Sequence, residues 1–311
     1  MDLWEHDMMT RRGFFRWAAG LIALGTATAG YGVGVEPFRL TIAGYRFTPQ
    51  RWSNGLKLRI AVLSDIHACE PWVSAGRIRS IVQQTNALEP DLILLLGDYS
   101  KGHHFTTGDV HSKDWAAALG DLKAPLGVHA VLGNHDWWDD LTAQTLGHGP
   151  TYGQLALERN GIRVYQNDVL RLSKDGHPFW LAGLGDQLAL LPYQKYGRRR
   201  WQGMDDLPGT LARISDDAPI LLMAHEPDIF PHVPSRVSLT LSGHTHGGQV
   251  RIFGWSPVVP SRYGNRYAYG HIIEPRDDGP ATSLIVSGGI GGSILPVRFG
   301  MPPEVVLLEL G

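Results

Sequence analysis

Leu58-Arg-Ile-Ala-Val-Leu-Ser-Asp-Ile-His67 begins as an almost unbroken apolar run and ends on two groups able to hold a cation. A continuous run of this kind suits a strand covered on both faces, as in an α/β sheet. Four more runs repeat the pattern. Leu92–Leu96 leads into Asp98, and Val128–Leu132 leads into Asn134, His135 and Asp136. Pro219–Met223 leads into His225, and Val237–Leu241 into His244 and His246. In open α/β sheets, ligands gather beyond the carboxyl ends of the strands. Five such ends turned toward one crevice would bring all of these side chains together.

The donor types carry chemistry of their own. Imidazole combined with carboxylate and carbonyl oxygen suits Mn, Fe or Zn and is too rich in nitrogen for a typical Mg or Ca site. The chain has one cysteine, Cys69, so no thiolate set competes. Two divalent ions about 3.5–4 Å apart need a bridging anion and can clamp both oxygens of an in-line displacement. Taken singly, each residue has a bland reading. A histidine after an apolar strand is more often structural, Gly-Asp is usually a turn, and Asp65 and Asp98 also suit helix N-caps.

Taken in order, Asp65-x-His67, Gly97-Asp98, Gly133-Asn-His-Asp136, His225 and Gly243-His-Thr-His246 resemble the calcineurin-like metallophosphoesterase superfamily. The wording His225-Glu-Pro-Asp228 and Gly243-His-Thr-His-Gly-Gly-Gln249 is similar to a membrane-associated bacterial branch of it. That branch includes exported phosphoesterases and UDP-2,3-diacylglucosamine pyrophosphatases. The resemblance implies an α/β fold, a four-layer α/β/β/α sandwich of two packed mixed β-sheets flanked by helices. It also implies a role for each residue. Asp65, His67 and His246 hold a first metal, Asn134, His225 and His244 a second, and Asp98 bridges them. A hydroxide between the metals attacks phosphorus. His135 protonates the leaving group or holds a phosphoryl oxygen, and Asp136 orients part of the shell. Mn is the leading metal, with Fe or Zn as alternatives. Asp186, after the run Trp180–Leu184, reads as a substrate-side group or a turn. Arg298 reads as a contact to a phosphate or head group, or as half of a structural ion pair.

The N-terminus speaks to location. Thr10-Arg-Arg-Gly-Phe-Phe-Arg16 resembles a twin-arginine export signal, and an uncharged stretch follows from Trp17 to Val35. Its length sits at the low edge of the roughly 17–25 residues that span a bilayer, and an ordinary signal anchor is the plainer alternative. The expected division is 1–35 as signal or anchor and 36–311 as catalytic domain. The export machinery is then a partner, and the domain works at the outer face of the cytoplasmic membrane or in the periplasm. A net charge of −2 gives no global attraction to nucleic acid.

A coarse pass places the rest. An edge strand is expected at Phe38–Ile42, with helices at Ser74–Ala87 and Lys113–Leu119. His103, His104 and His111 should face solvent. The second sheet should take Ile162–Tyr165, Leu170–Leu172, Phe179–Ala182, Ser283–Ser287 and Glu304–Leu310. Tyr193–Trp201, cationic and aromatic, reads as a solvated loop or an interfacial contact. Gly288–Ser293 offers backbone N–H groups to a phosphate.

The expected function is hydrolysis of a phosphodiester, pyrophosphate or phosphomonoester on a lipid, nucleotide or envelope component, with membrane association. A narrower alternative is a UDP-2,3-diacylglucosamine pyrophosphatase of lipid A biosynthesis, whose precursor is expected on the cytoplasmic side. A nuclease would need a cationic groove with stacking platforms, and no nucleic-acid partner is expected. A metal-stabilised binding protein without turnover would lack a core ligand or His135, and all are present.

Overall fold

The structure is a computed structural model that describes residues 10–311, so residues 1–9 of the expected signal segment lie outside the described residues. Thr10 caps helix α1 (Arg11–Gly34) by accepting a hydrogen bond from the Gly13 N–H. The stretch from Arg11 to Phe38 holds an 18-residue window with a mean hydropathy of 1.4, long and apolar enough to cross a membrane. Within α1 only Gly32 is buried. The chain then makes a turn of 3-10 helix at Glu36–Phe38 and enters β1 (Thr41–Phe47). The edge strand thus starts later than expected, because Glu36 and Pro37 open that turn.

The predicted apolar runs form strands. They are β2 (Leu58–Leu63), β4 (Leu92–Leu95), β6 (Val128–Ala130), β10 (Ile220–Met223) and β11 (Leu239–Ser242). A small ribbon pairs β3 (Cys69–Glu70) with β5 (Gly108–Asp109). The remaining strands are β7 (Arg163–Val164), β8 (Asp168–Lys174), β9 (His177–Gly183), β12 (Gly270–Arg276), β13 (Gly279–Val286) and β14 (Glu304–Leu310). One six-stranded sheet has the order β1-β14-β2-β4-β6-β7, the other β12-β13-β11-β10-β9-β8. Both are mixed: β14 runs antiparallel to β2, and β8 and β12 run antiparallel to β9 and β13.

Alternation within the strands builds the layers, because successive side chains leave a strand on opposite faces. Leu58, Ile60 and Val62 of β2 point between the sheets, where they meet Leu221 and Met223 of β10 and Leu239 and Leu241 of β11. Ala61 and Leu63 point outward and are covered by Ile78, Ile81 and Val82 of α2 (Ala75–Asn86) and by Trp115 and Leu119 of α3 (Ser112–Leu119). On the far side, Ile220 and Leu222 are covered by Ile229, Phe230 and Val233. The two-sheet sandwich flanked by helices is therefore the observed architecture.

Two strands sit in the other sheet from the one expected. Ile162–Tyr165 supplies β7, which extends the first sheet by pairing with β6. Glu304–Leu310 is β14, which lies inside the first sheet between β1 and β2. His103 also departs from expectation: it is buried beside Trp72, at 6.4 Å between ring centres, while His104 and His111 are exposed.

Leu94 lies wholly buried in the seam between the sheets. Leu94→Ala should cost about 2–5 kcal/mol, read as a fall in the chemical-denaturation midpoint. A change below about 1 kcal/mol would mean that this seam is not close-packed.

Candidate metal centre

Five parallel strands end at the same edge of the sandwich, and the candidate ligands stand just past those ends. Asp65 and His67 follow β2, Asp98 follows β4, and Asn134 begins α4 (Asn134–Trp138) after β6. His225 follows β10, and His244 and His246 follow β11. The backbone there is unusual. Asp65, His67, Asp98, His244 and His246 all have positive φ, between 44° and 67°. Left-handed backbone at a non-glycine residue is uncommon and costs of order 1–3 kcal/mol each. Main-chain bonds hold it in place: the Asp65 N–H donates to Gly97 O and the His67 N–H to Asp98 O, each at 3.0 Å.

The side chains converge in two groups. Asp65, His67 and His246 form one, with ligand atoms mutually within 4.8 Å; Asp98, His225 and His244 form another on the same criterion. Asp98 joins them. Its Oδ1 accepts the His135 backbone N–H at 2.8 Å, while its Oδ2 lies 3.5 Å from His67 Nε2 and 3.3 Å from His225 Nε2. Asn134 enters the second group through its Oδ1, 2.9 Å from His244 Nδ1.

Two rings have their tautomer assigned by their partners. His67 Nδ1 faces the Ser100 carbonyl at 2.8 Å, and His225 Nδ1 faces the Leu96 carbonyl at 2.6 Å. A carbonyl only accepts, so each Nδ1 carries a proton, and each ring in its neutral form turns a lone pair inward from Nε2. His67 Nε2 and His246 Nε2 then face each other at 3.1 Å, and His225 Nε2 is buried without a hydrogen-bond partner.

Electrostatics run the same way. Burial lowers the His67 pKa to about 3 and pushes Asp65 up to about 6. Burial also opposes charge on Asp98, but the nearby His225, His135 and His67 imidazoles hold its carboxyl well below the usual range. Burial opposes charge on His225 too, but Asp98 raises its pKa well above the usual imidazole range, so a proton there stands where a cation would. This donor set fits divalent cations, which need deprotonated ligands.

A supporting layer fixes the donors. The Asp136 carboxylate accepts four backbone N–H groups, from Asp98, Tyr99 and Gly133 at 2.9 Å and from Ser100 at 3.2 Å. It thereby locks the Gly97–Ser100 turn to the start of α4. A Cβ at Gly133 would collide with Asp98 Oδ1, which explains glycine there. Asp186 makes a turn, accepting the Leu188 N–H at 2.8 Å, yet its other oxygen is buried and unpartnered. It groups with His225 and Glu226 in a third set of close ligand atoms. Glu226 is the residue that sequence reasoning passed over. Its signal is adjacency, since it directly follows His225 in His225-Glu-Pro-Asp228.

Arg298 has neither expected role. It is 1% exposed and donates to the carbonyls of Gly288, Gly291 and Met301, with His246 Nδ1 at 3.4 Å. It holds the glycine loop and backs a candidate ligand. The loop does not cradle a phosphate with its first N–H groups. Gly288 donates to Glu304, Gly289 to Ser287, Ile290 to Ser64 and Gly291 to Asp65.

Above the ligands opens a cavity of about 420 Å³. Asp98, Asn134, His135, His244 and His246 reach its floor, and its walls include Trp138, Val258, Pro260, Ile294 and Leu295. The His135 ring stands between His67 and Trp138, at 4.9 and 5.0 Å between ring centres. Trp201 packs behind Trp138 at 4.9 Å. The aromatic wall was another feature that sequence reasoning did not foresee.

Residues 58–248 match the family model described as calcineurin-like phosphoesterase. The uncharacterized metallophosphoesterase YkuE of Bacillus subtilis is 29% identical over 97% of this chain and 98% of its own length. An uncharacterized metallophosphoesterase of Aquifex aeolicus is 26% identical over 89% of this chain and 94% of its own length. A transmembrane protein with metallophosphoesterase domain from Danio rerio is 32% identical over 62% of this chain and 41% of its own length, so this chain spans less than half of that relative.

Asp136→Ala removes the acceptor shared by four N–H groups, that of Asp98 among them, and leaves every candidate ligand side chain unchanged. It should weaken metal binding about 10–100-fold, measured by calorimetric titration, with circular dichroism unchanged. Equal affinity in the variant would remove Asp136 from the support of the site.

Proposed function

The chain belongs to the calcineurin-like phosphoesterase family, and from that premise we propose a two-metal phosphohydrolase acting on phosphate esters or anhydrides of lipid or cell-envelope molecules. The family itself makes the chain a metal-dependent phosphoester hydrolase. The observation that carries the two-metal reading is the position of Asp98 Oδ2, between His67 Nε2 of one group and His225 Nε2 of the other. Asp65, His67 and His246 would hold one ion, Asn134, His225 and His244 the second, and Asp98 both. Mn suits this mixture of oxygen and imidazole donors, with Fe or Zn as alternatives.

Ions held there supply Lewis acidity toward phosphoryl oxygens and a nucleophile ionised near neutral pH. The remaining work falls to the chain. Asp98 keeps the two groups in register while its other oxygen anchors the His135 main chain. His135 stands on the cavity floor, half-buried, and gives a proton to the departing oxygen. Trp138 limits the motion of that ring. The apolar cavity walls favour a substrate with hydrocarbon near its phosphate; the narrower reading as a UDP-2,3-diacylglucosamine pyrophosphatase would require the N-terminal segment to be a non-translocating anchor that leaves the domain in the cytoplasm. For location we propose export by the twin-arginine route, supported by Arg11 and Arg12 at the start of an exposed apolar helix.

Hydrolysis of bis-(nitrophenyl) phosphate by the Mn-loaded chain tests the core reading. Asp98→Asn should abolish turnover and halve the metal content, and wild-type turnover in that variant would refute the two-metal arrangement. His135→Ala should keep its metals and slow turnover of alkyl phosphate esters, whose alkoxide leaving groups need a proton, by about 10²–10⁴. The loss should shrink when the leaving group is nitrophenolate, which needs little protonation; an equal loss for poor and good leaving groups would rule out proton donation. Arg11→Lys with Arg12→Lys should block export, and unchanged accumulation outside the cytoplasm would reject the twin-arginine assignment.

A further inference from the structure

Two loops at the mouth of the cleft display bulky apolar side chains on unfavourable backbone. In the first, the Ile252 N–H donates to Trp255 O at 2.8 Å and the Trp255 N–H to Ile252 O at 3.0 Å, closing a two-residue hairpin turn. Its tip is Phe253, with φ 51°, followed by Gly254, with φ 80°. Such turns favour Asn, Asp or Gly at both positions, yet an aromatic ring occupies the first and is fully exposed. In the second loop, Ile294 has φ 66° and is 71% exposed, with Leu295 exposed beside it. A β-branched residue in the left-handed region is a genuine outlier. Ile252, Trp255 and Val258 are exposed as well, and Val258 lines the cavity with Ile294 and Leu295; exposed apolar groups of this kind mark interaction sites.

The loops are tied to each other and to α1. Gln249 Nε2 donates to Leu295 O at 3.1 Å, and the Arg251 N–H donates to Phe299 O at 2.8 Å. The Arg298 N–H donates to Gly32 O of α1 at 2.9 Å, and Phe299 packs edge-on against Tyr31, at 6.3 Å between ring centres. The exposed apolar helix therefore leaves the domain beside the apolar loops. Trp138, also in the cavity lining, leads to Trp201, which follows the exposed Lys195, Arg199 and Arg200. Cations with Trp at their border match the head-group layer of an anionic bilayer.

We propose that the mouth of the metal cleft is a bilayer-docking surface. The Ile252–Trp255 tip and the Ile294–Leu295 loop enter the boundary between head groups and acyl chains, and the cleft takes the phosphate ester of a membrane lipid. The substrate half of this proposal rests on the phosphohydrolase reading; the docking half does not. Val258, Ile294 and Leu295 belong to both the apolar cluster and the cavity wall, so a lipid would reach the site along a continuous apolar path.

The test uses the full chain in vesicles of phosphatidylethanolamine and phosphatidylglycerol. The one native cysteine, Cys69, is buried, so a nitrobenzoxadiazole label reports on a single introduced site. Phe253→Cys is compared with Asp217→Cys, which lies before β10 and thus at the opposite end of the strands from the cleft. Brominated acyl chains should quench the label at 253 at least about twofold more than at 217, as expected for insertion of about 5–10 Å. Equal quenching at both positions overturns the docking surface. A shift at 253 that follows protein concentration rather than lipid assigns the patch to a second copy of the chain and also overturns it.

The substrate half is read with Phe253→Asp combined with Trp255→Asp, neither of which lines the cavity. Hydrolysis of vesicle-borne hexadecyl nitrophenyl phosphate should fall roughly tenfold, with soluble bis-(nitrophenyl) phosphate cleaved at the wild-type rate. A loss on both esters alike, or on neither, overturns the lipid assignment. A wild-type chain inactive on both esters overturns the phosphohydrolase reading itself, while the quenching result still decides the docking surface.

Discussion

The Asp98 carboxylate is the constraint around which the rest is arranged. One oxygen is committed to the His135 backbone, and the other faces imidazoles from both sheets. A buried anion in that position is costly unless positive charge is brought to it. Without a metal, the nearby imidazoles offset that cost. Divalent cations would supply the same charge more strongly and turn a site of repulsion into one of coordination. The left-handed backbone on either side follows from the need to aim short side chains inward from turns that immediately follow strands.

Such a site is expensive, and the sandwich is what holds it. Strained residues, buried carboxylates and unpartnered imidazole nitrogens all favour opening of the edge. Against them stand a dry seam of aliphatic residues between the sheets and a second seam under α2 and α3. Asp136 and Arg298 connect the two regimes. Asp136 collects N–H groups from the turns after β4 and β6, and Arg298 collects carbonyls from the loop after β13. Each uses a buried charge to satisfy backbone that could not be paired in a regular ladder.

The cleft joins unlike surfaces. Its floor is polar and dense in imidazole, while its rim carries aliphatic and aromatic groups presented by Ile294, Leu295 and Val258. A soluble phosphate would need only the floor. The rim, the hairpin tip and the end of α1 share one stretch of surface because the segment Val297–Phe299 hydrogen-bonds or packs against all three. The proposed lipid ester would present its phosphate to the floor and its hydrocarbon to the rim.

Much of this could be read from the chain as written. Apolar runs ending in Asp, Asn or His located five strands and seven candidate ligands, because strand burial and ligand placement are both local patterns. Asp136 was legible for the same reason. Partnership was not. Ile162–Tyr165 and Glu304–Leu310 read as strands, but their own residues do not say which sheet they join, since pairing depends on strands far away in sequence. Arg298 reads as a phosphate contact or half of an ion pair, and only the fold shows it enclosed among carbonyls, while Glu226 is hidden beside a histidine of stronger signal. The apolar rim had no periodicity to announce it, because its members lie in loops more than thirty residues apart in sequence. The sequence by itself determined the elements and the donor chemistry, which are set by side-chain type and spacing over a few residues. Only the tertiary structure decided which sheet each strand joins, which polar groups are buried, and what surface surrounds the metals, because those follow from contacts between distant segments.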